Sequence, residues 1–218
     1  MKNISIAIDG PAGAGKSTIA KIIAKKLNID YIDTGAMYRA FTLKLIKNNI
    51  DLEDFKTISS VLNDTSIDFS DNHIYLDGLV VDDEIRNNQI SNKVSIVAKI
   101  KEVRERLVQL QKDIAKNKDI IMDGRDIGTS VLPNSKYKFF LNASVEERAL
   151  RRFNELKANS DTVELETIKK EIEKRDEIDK TREISPLIKS HDAIEIDTTN
   201  KSIDDVVDTI LSIIKKDN

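Results

Sequence analysis

The stretch Gly10-Pro11-Ala12-Gly13-Ala14-Gly15-Lys16-Ser17 fits the pattern Gly-x-x-x-x-Gly-Lys-Ser/Thr at every position. Each residue type in it has a chemical reason. Glycines let the chain turn tightly enough for successive N–H groups to converge on phosphate oxygens. A helix opening near Lys16 would add the positive end of its dipole. Lys16 is then the candidate partner of the β- and γ-phosphates, and the Ser17 hydroxyl the candidate direct ligand of Mg²⁺. Thr18 is expected to face the adjacent phosphate. An ordinary glycine-rich turn would leave the Lys-Ser pair unexplained. Residues 10–18 are therefore the candidate triphosphate site.

The loop alone does not separate a switch from an ATPase or a kinase. A GTP-reading switch should carry Asn-Lys-x-Asp after a late strand. Asn200-Lys201-Ser202-Ile203 has Ile where Asp is required, and Asn117-Lys118-Asp119-Ile120 fails as well. A kinase with a small phosphorylated acceptor needs a second group of cations, because two anions must meet and the moving phosphoryl must be neutralised. Such arginines are expected in loops. Arg39 and Arg125 follow apolar runs that read as strands, where open parallel sheets bind ligands. Arg175 and Arg182 flank Asp179. Asp33 and Asp123 close two of those runs, either as partners of Mg²⁺ through water or as caps of the turns that follow. The Lys- and Glu-rich stretch 164–174 reads as a solvated helix with ordinary charge pairs. His73 and His191 have no clustered partners and receive no role.

The elements that must position these groups are legible from periodicity. Ile4–Ile8, Tyr31–Asp33, Ile120–Met122, Tyr137–Leu141 and Ala193–Ile196 read as strands. Helical spacing runs through 16–26, 36–47, 51–62, 90–116 (in two pieces), 145–157, 163–178 and 203–214. Strands alternating with helices imply a parallel α/β sheet. Between Thr65 and Asp83 the character changes to three short strand-like runs, with turns at Asp71-Asn72 and Asp77-Gly78. This predicts a small antiparallel insertion.

Composition sets the outer limits. The 218 residues contain no cysteine, which excludes disulfides, thiolate metal sites and a Cys nucleophile. The formal net charge of −3 argues against a surface that coats nucleic acid. No apolar run approaches the length of a membrane span, and the run after Met1 is too short for a signal-peptide core. The expectation is a cytoplasmic protein with no membrane or nucleic-acid partner. Of seven glycines, Gly10, Gly13, Gly15, Gly35, Gly124 and Gly128 fall in three short blocks.

Those three blocks carry a resemblance. The Gly10–Ser17 loop, Tyr31-Ile32-Asp33-Thr34-Gly35-Ala36-Met37-Tyr38-Arg39 and Asp123-Gly124-Arg125-Asp126-Ile127-Gly128-Thr129 together resemble the bacterial cytidylate kinases, and the segment from Arg175 to Leu187 agrees. The resemblance implies a P-loop NTPase fold in one domain, with a five-stranded parallel sheet flanked by helices. It further implies a monophosphate-binding region over 34–104, which contains the β insertion at 65–83, and a short helical lid at 160–186. The implied reaction moves the γ-phosphate of ATP to CMP or dCMP with Mg²⁺ as cofactor, in a monomer. Thr34, Tyr38 and Arg39 would bind the ribose-phosphate end of CMP. Ser95, Arg104 and Asp126 would read the cytosine, although the residue pattern alone leaves Ser95 and Arg104 on a helix surface. Arg125, Arg175 and Arg182 would serve the phosphates alongside Lys16, and Asp179 the acceptor sugar. Some members carry Ser at the place of Thr34 and another Arg at the place of Ile178, so fewer lid cations are expected. Another P-loop small-molecule kinase, of adenylate or shikimate type, is the alternative. A binding switch without transfer chemistry is a second one.

Overall fold

Alternation of apolar residues along β1 (Ser5–Asp9) decides how the sheet is buried. Ile6 and Ile8 point into one core and Ala7 into the other, as the two-residue period of a strand requires. The computed structural model describes residues 3–70, 73–158 and 163–216. The strands β2 (Asp30–Asp33), β6 (Ile120–Gly124), β7 (Tyr137–Asn142) and β8 (Ile194–Asp197) complete a five-stranded sheet in the order β2-β6-β1-β7-β8. Every pairing in it is parallel. The register sets Asp33 beside Asp123 and Asp9 beside Gly124, so three carboxylates end adjacent strands at one edge of the sheet.

Helices α1 (Lys16–Leu27) and α8 (Ile203–Lys216) cover one face, and their buried Ile19, Ile23, Val207 and Ile210 pack on Ile6, Ile8 and Ile121. The other face carries α2 (Thr34–Lys47), α3 (Phe55–Asn63), α4 (Asn88–Lys99) and α5 (Lys101–Ala115). They share a core built on Met37, Phe41, Leu45, Ile58, Val97 and Leu107. That core also takes Ile67, Ile74 and Leu76 from the insertion, an antiparallel sheet of β3 (Ile67–Ser70), β4 (His73–Leu76) and β5 (Leu79–Val80). Asp77 and Gly78 both have positive φ, 50° and 82°, as the two-residue hairpin turn demands. The other proposed turn, Asp71-Asn72, lies outside the described residues, as do residues 160–162 of the expected lid.

Helix α6 (Val145–Ala158) and α7 (Leu165–Thr181) pack on each other through Ala149, Leu156, Ile168 and Ile172. Three expectations need correction here. The helix expected from Asp51 begins at Phe55, because the Asp54 carboxylate accepts the Thr57 N–H and fixes the cap there. The stretch 164–174 is more than a solvated charge ladder. Ile168 and Ile172 bury one side of it, and Lys169 pairs with Glu146 of α6 at 2.8 Å. Finally, Arg39 and Arg175 stand on helices α2 and α7 rather than in loops. Each lies on the side of its helix that faces a cavity, so the helix places the cation without solvating it.

Candidate active site

The phosphate loop is shaped by what stands behind it. A side chain at Gly10 would put its Cβ 2.0 Å from the carbonyl oxygen of Leu141 on β7, so only glycine fits there. Lys16 opens α1 and is buried, and its Nζ donates to the Pro11 carbonyl at 2.7 Å. Burial and the nearby Arg125 guanidinium push its ammonium well below the usual lysine range, and the Asp123 carboxylate works against them. Ser17 donates to Asp123 Oδ2 at 2.9 Å, and the Tyr31 hydroxyl donates to Asp123 Oδ1 at 2.8 Å. Asp123 is pushed up to about 6 by burial and by its neighbour Asp33. Residues Ala12 to Thr18 line a cavity of about 820 Å³.

The same cavity runs on to the second group of predicted residues. Asp33 caps α2 by accepting the Ala36 N–H at 2.9 Å, and it pairs with Arg39 Nη2 at 2.8 Å. Thr34 donates to the Asp123 carbonyl at 2.7 Å. A Cβ at Gly124 would come within 2.6 Å of that Thr34 hydroxyl, which explains the glycine. Asp126 accepts from Arg104 Nη1 at 2.9 Å and from Arg182 Nη2 at 3.4 Å. The Arg104 guanidinium lies 5.3 Å from the centre of the Tyr38 ring. Asp179 accepts from Arg125 Nε at 2.8 Å and from Arg182 Nη1 at 3.5 Å. Three arginines outweigh burial and hold the Asp179 carboxyl below its usual range, while Arg125 is raised because Asp179 outweighs its own burial. Arg175 is lowered to about 10 by burial and by Arg125.

Three buried donors on this wall have no partner: Tyr38 Oη, Arg39 Nε and Arg175 Nε. Desolvated donors without acceptors are costly. An anionic ligand with several oxygens would satisfy them.

All the predicted residues gather here. Gly10 and Pro11 shape the loop from behind, and the remainder of the set lines the cavity. Ser95 and Arg104 are buried at 5 % and 2 % exposure, so the helix-surface reading of the bare pattern was wrong. Their helices pack against each other, and that packing turns both side chains inward. Arg182 sits beside Asp126 and Asp179. Sequence reasoning missed Asp9, Arg86, Arg148, Arg151 and Arg152. Asp9 is buried, accepts the Ile127 and Gly128 N–H groups at 2.7 and 2.8 Å, and is pushed up to about 6 mainly by burial. Arg86, Arg151 and Arg152 line the cavity. The spacing of Arg148, Arg151 and Arg152 at i, i+3 and i+4 was a legible signal of one basic helix face.

A Gly-Lys-Ser loop between a central parallel strand and its helix, facing a second cationic pocket, defines a P-loop kinase. Solved structures agree on the fold: a gluconokinase from Sinorhizobium meliloti (TM-score 0.51, 13% identity, 97% and 92% of the two chains) and a shikimate kinase from Acinetobacter baumannii (0.50, 14%, 100% and 96%). The sequence narrows the class. The cytidylate kinase family model matches residues 6–216. A cytidylate kinase from Alkaliphilus oremlandii is 57% identical over 99% of both chains, and one from Clostridioides difficile is 54% identical over 97% and 98%. The chain belongs to the cytidylate kinase family.

Proposed function

We propose that this chain transfers the γ-phosphoryl of ATP to a phosphate oxygen of CMP or dCMP. The terminal P–O bond of ATP breaks, a new P–O bond forms, and ADP leaves with CDP or dCDP. The observation that carries the reading is the buried Asp126–Arg104 pair, next to Tyr38 and in one cavity with the phosphate loop. Cytosine offers an amino donor at N4 and acceptors at N3 and O2. Asp126 keeps free lone pairs for the amino group, and Arg104 can donate to the ring. Uracil would set a carbonyl against the carboxylate, a buried mismatch costing on the order of 1–3 kcal/mol.

Gly10–Thr18 hold the triphosphate, and Lys16 follows the phosphoryl as it moves. Thr34, Arg39, Arg125 and Arg175 hold the acceptor phosphate, with Asp179 toward the sugar and Arg182 bridging Asp179 and Asp126. A phosphate acceptor is already nucleophilic, so positioning and charge neutralisation suffice without a general base. The oxygen donors Ser17, Asp33 and Asp123 suit Mg²⁺, which keeps several waters and shares substrate phosphates. Two buried carboxylates this close, one of them pushed up to about 6, are the setting a cation would relieve. Ser17 would bind the ion directly and the carboxylates through water, and the ion supplies neutralisation of the phosphate charge.

In this reading residues 34–104 form the acceptor-binding region and 160–186 the lid. The enzyme acts as a cytoplasmic monomer in pyrimidine nucleotide metabolism. Among the described residues, no helix is long and apolar enough to cross a membrane. The test is a monophosphate screen with ATP and Mg²⁺. CMP and dCMP should be phosphorylated at least tenfold better than UMP in kcat/KM. Turnover of AMP with none of CMP would overturn the proposal.

A further inference from the structure

Arg148 has no part in the reaction just described, yet it is only 4 % exposed and touches three separate elements. It stands in the first turns of α6. Its Nε donates to the Ala143 carbonyl at 2.9 Å, which ties it to the connection from β7. Its Nη1 donates to the Ala12 carbonyl of the phosphate loop at 3.1 Å. The same Nη1 lies 2.7 Å from Asp176 Oδ2 on α7. The loop also presses on Arg148 directly, since a Cβ at Gly13 would fall 3.1 Å from the Arg148 Cβ. Asp176 is buried, and its other oxygen, Oδ1, has no hydrogen-bond partner. It is the sequence neighbour of Arg175 and lies one helical turn before Asp179.

We propose that Arg148 is a positioning residue that couples the two substrate sites. The inference rests on the kinase reading above and deepens it. Lys16 donates to the Pro11 carbonyl at 2.7 Å. A bound triphosphate takes Lys16 for its own oxygens and releases that carbonyl. The next carbonyl in the chain, Ala12, is the one Arg148 holds. A change in the Pro11–Ala12 segment therefore reaches Arg148, then Asp176, and then α7. Arg175 and Asp179 ride on that helix, and Asp179 sets Arg125. Filling the donor site thus sets the cations of the acceptor site. Arginine is needed because its planar fork can serve the loop, the β7 connection and α7 together. Lysine would keep a charge for Asp176 but act as a single point.

The test is calorimetric binding of CMP with and without a non-hydrolysable Mg²⁺–ATP analogue, on the full chain and on R148K and D176N. The unmodified chain should bind CMP on the order of tenfold more tightly when the analogue is present, within the usual range of coupling between sites. In both variants the tightening should shrink below about twofold, while the affinity for CMP alone stays within about threefold. Thermal melts accompany each sample, and D176N carries the test if R148K does not fold. A merely structural Arg148 would weaken CMP binding equally with and without the analogue, and that result overturns the inference. So does full tightening in a folded variant, or no tightening in the unmodified chain. If the unmodified chain does not bind or turn over CMP, the kinase reading falls with it. Normal turnover with unchanged coupling in the variants strikes the inference alone.

Discussion

Asp126 does two jobs with one carboxylate. It offers lone pairs to the proposed cytosine amino group, and it is the counter-charge for Arg104 and Arg182, which are 2 % and 4 % exposed. Asp126→Asn should therefore have two separable effects. Preference for CMP over UMP should fall about tenfold or more, read as the ratio of kcat/KM values. The fold should also weaken, because removing one member of a buried ion pair leaves uncompensated charge, a loss of about 3–5 kcal/mol. An unchanged ratio in a folded variant would take Asp126 out of base reading. At this scale the sequence was informative where chemistry and spacing coincide. The phosphate loop announced itself, and Arg125-Asp126 stood out after a glycine at a strand end. Ser95 and Arg104 were different. Nothing local distinguishes an inward-facing arginine on a charged helix from an outward-facing one; the packing of α4 against α5 decides it. For Arg148 the spacing marked only a basic helix face; the partners that bury it lie 136 and 28 positions away in the chain.

Helix α7 shows what one element can carry. Arg175, Asp179 and the following Arg182 all project from it into the cavity, and its hold on the molecule is a small core with α6 built on Ile168 and Ile172. Polar attachments add to it: the Arg148–Asp176 and Arg125–Asp179 pairs, Lys169 with Glu146 of α6, and the hydrogen bond from Asn92 of α4 to Glu171 at 2.8 Å. Ile172→Ala removes part of that core, and such truncations cost about 2–5 kcal/mol where the site cannot collapse. The cost should be paid locally. Hydrogen exchange of α7 amides should speed up by on the order of tenfold or more, while those of β1 and β6 stay unchanged. Turnover of CMP should drop in parallel. Equal acceleration across the central sheet would show that α7 does not open separately. The elements themselves were readable because strand and helix periods are local properties. The errors fell at boundaries set by single interactions, such as the Asp54 cap that starts α3 at Phe55. The hydrophobic side of α7 was obscured by its many charges, and only the partner helix reveals it.

Across the whole molecule, a net charge of −3 conceals a sharp separation. The cavity collects arginines, yet Asp33 and Asp123 line it, and Asp9 stands on the adjacent strand end. Two of these, Asp9 and Asp123, are raised from 3.8 to about 6, chiefly by burial. A carboxyl with a raised folded-state pKa binds its proton more tightly in the fold than in the unfolded chain. The stability it contributes is complete below about 4 and is lost as pH rises through about 6. The carboxyls shifted the other way, Asp33, Asp179 and Asp192 among them, are ionised in both states above pH 5 and add no slope there. The free protein should therefore be less stable at pH 7.5 than at pH 5, with on the order of 1 kcal/mol lost for each raised carboxyl over that window. For a chain of this length that is a fall of several degrees in Tm. Asp123→Asn removes one of the two titrations while its amide can still meet Ser17 and Tyr31. It should melt higher than the unmodified chain at pH 7.5, approach it at pH 5, and be far less active at either. Parallel Tm curves for the two proteins between pH 5 and 7.5 would show that Asp123 ionises without cost to the fold. The expected divergence would mean that the strand ends are held ionised at a cost in stability, so that a cation finds its counter-charges already in place.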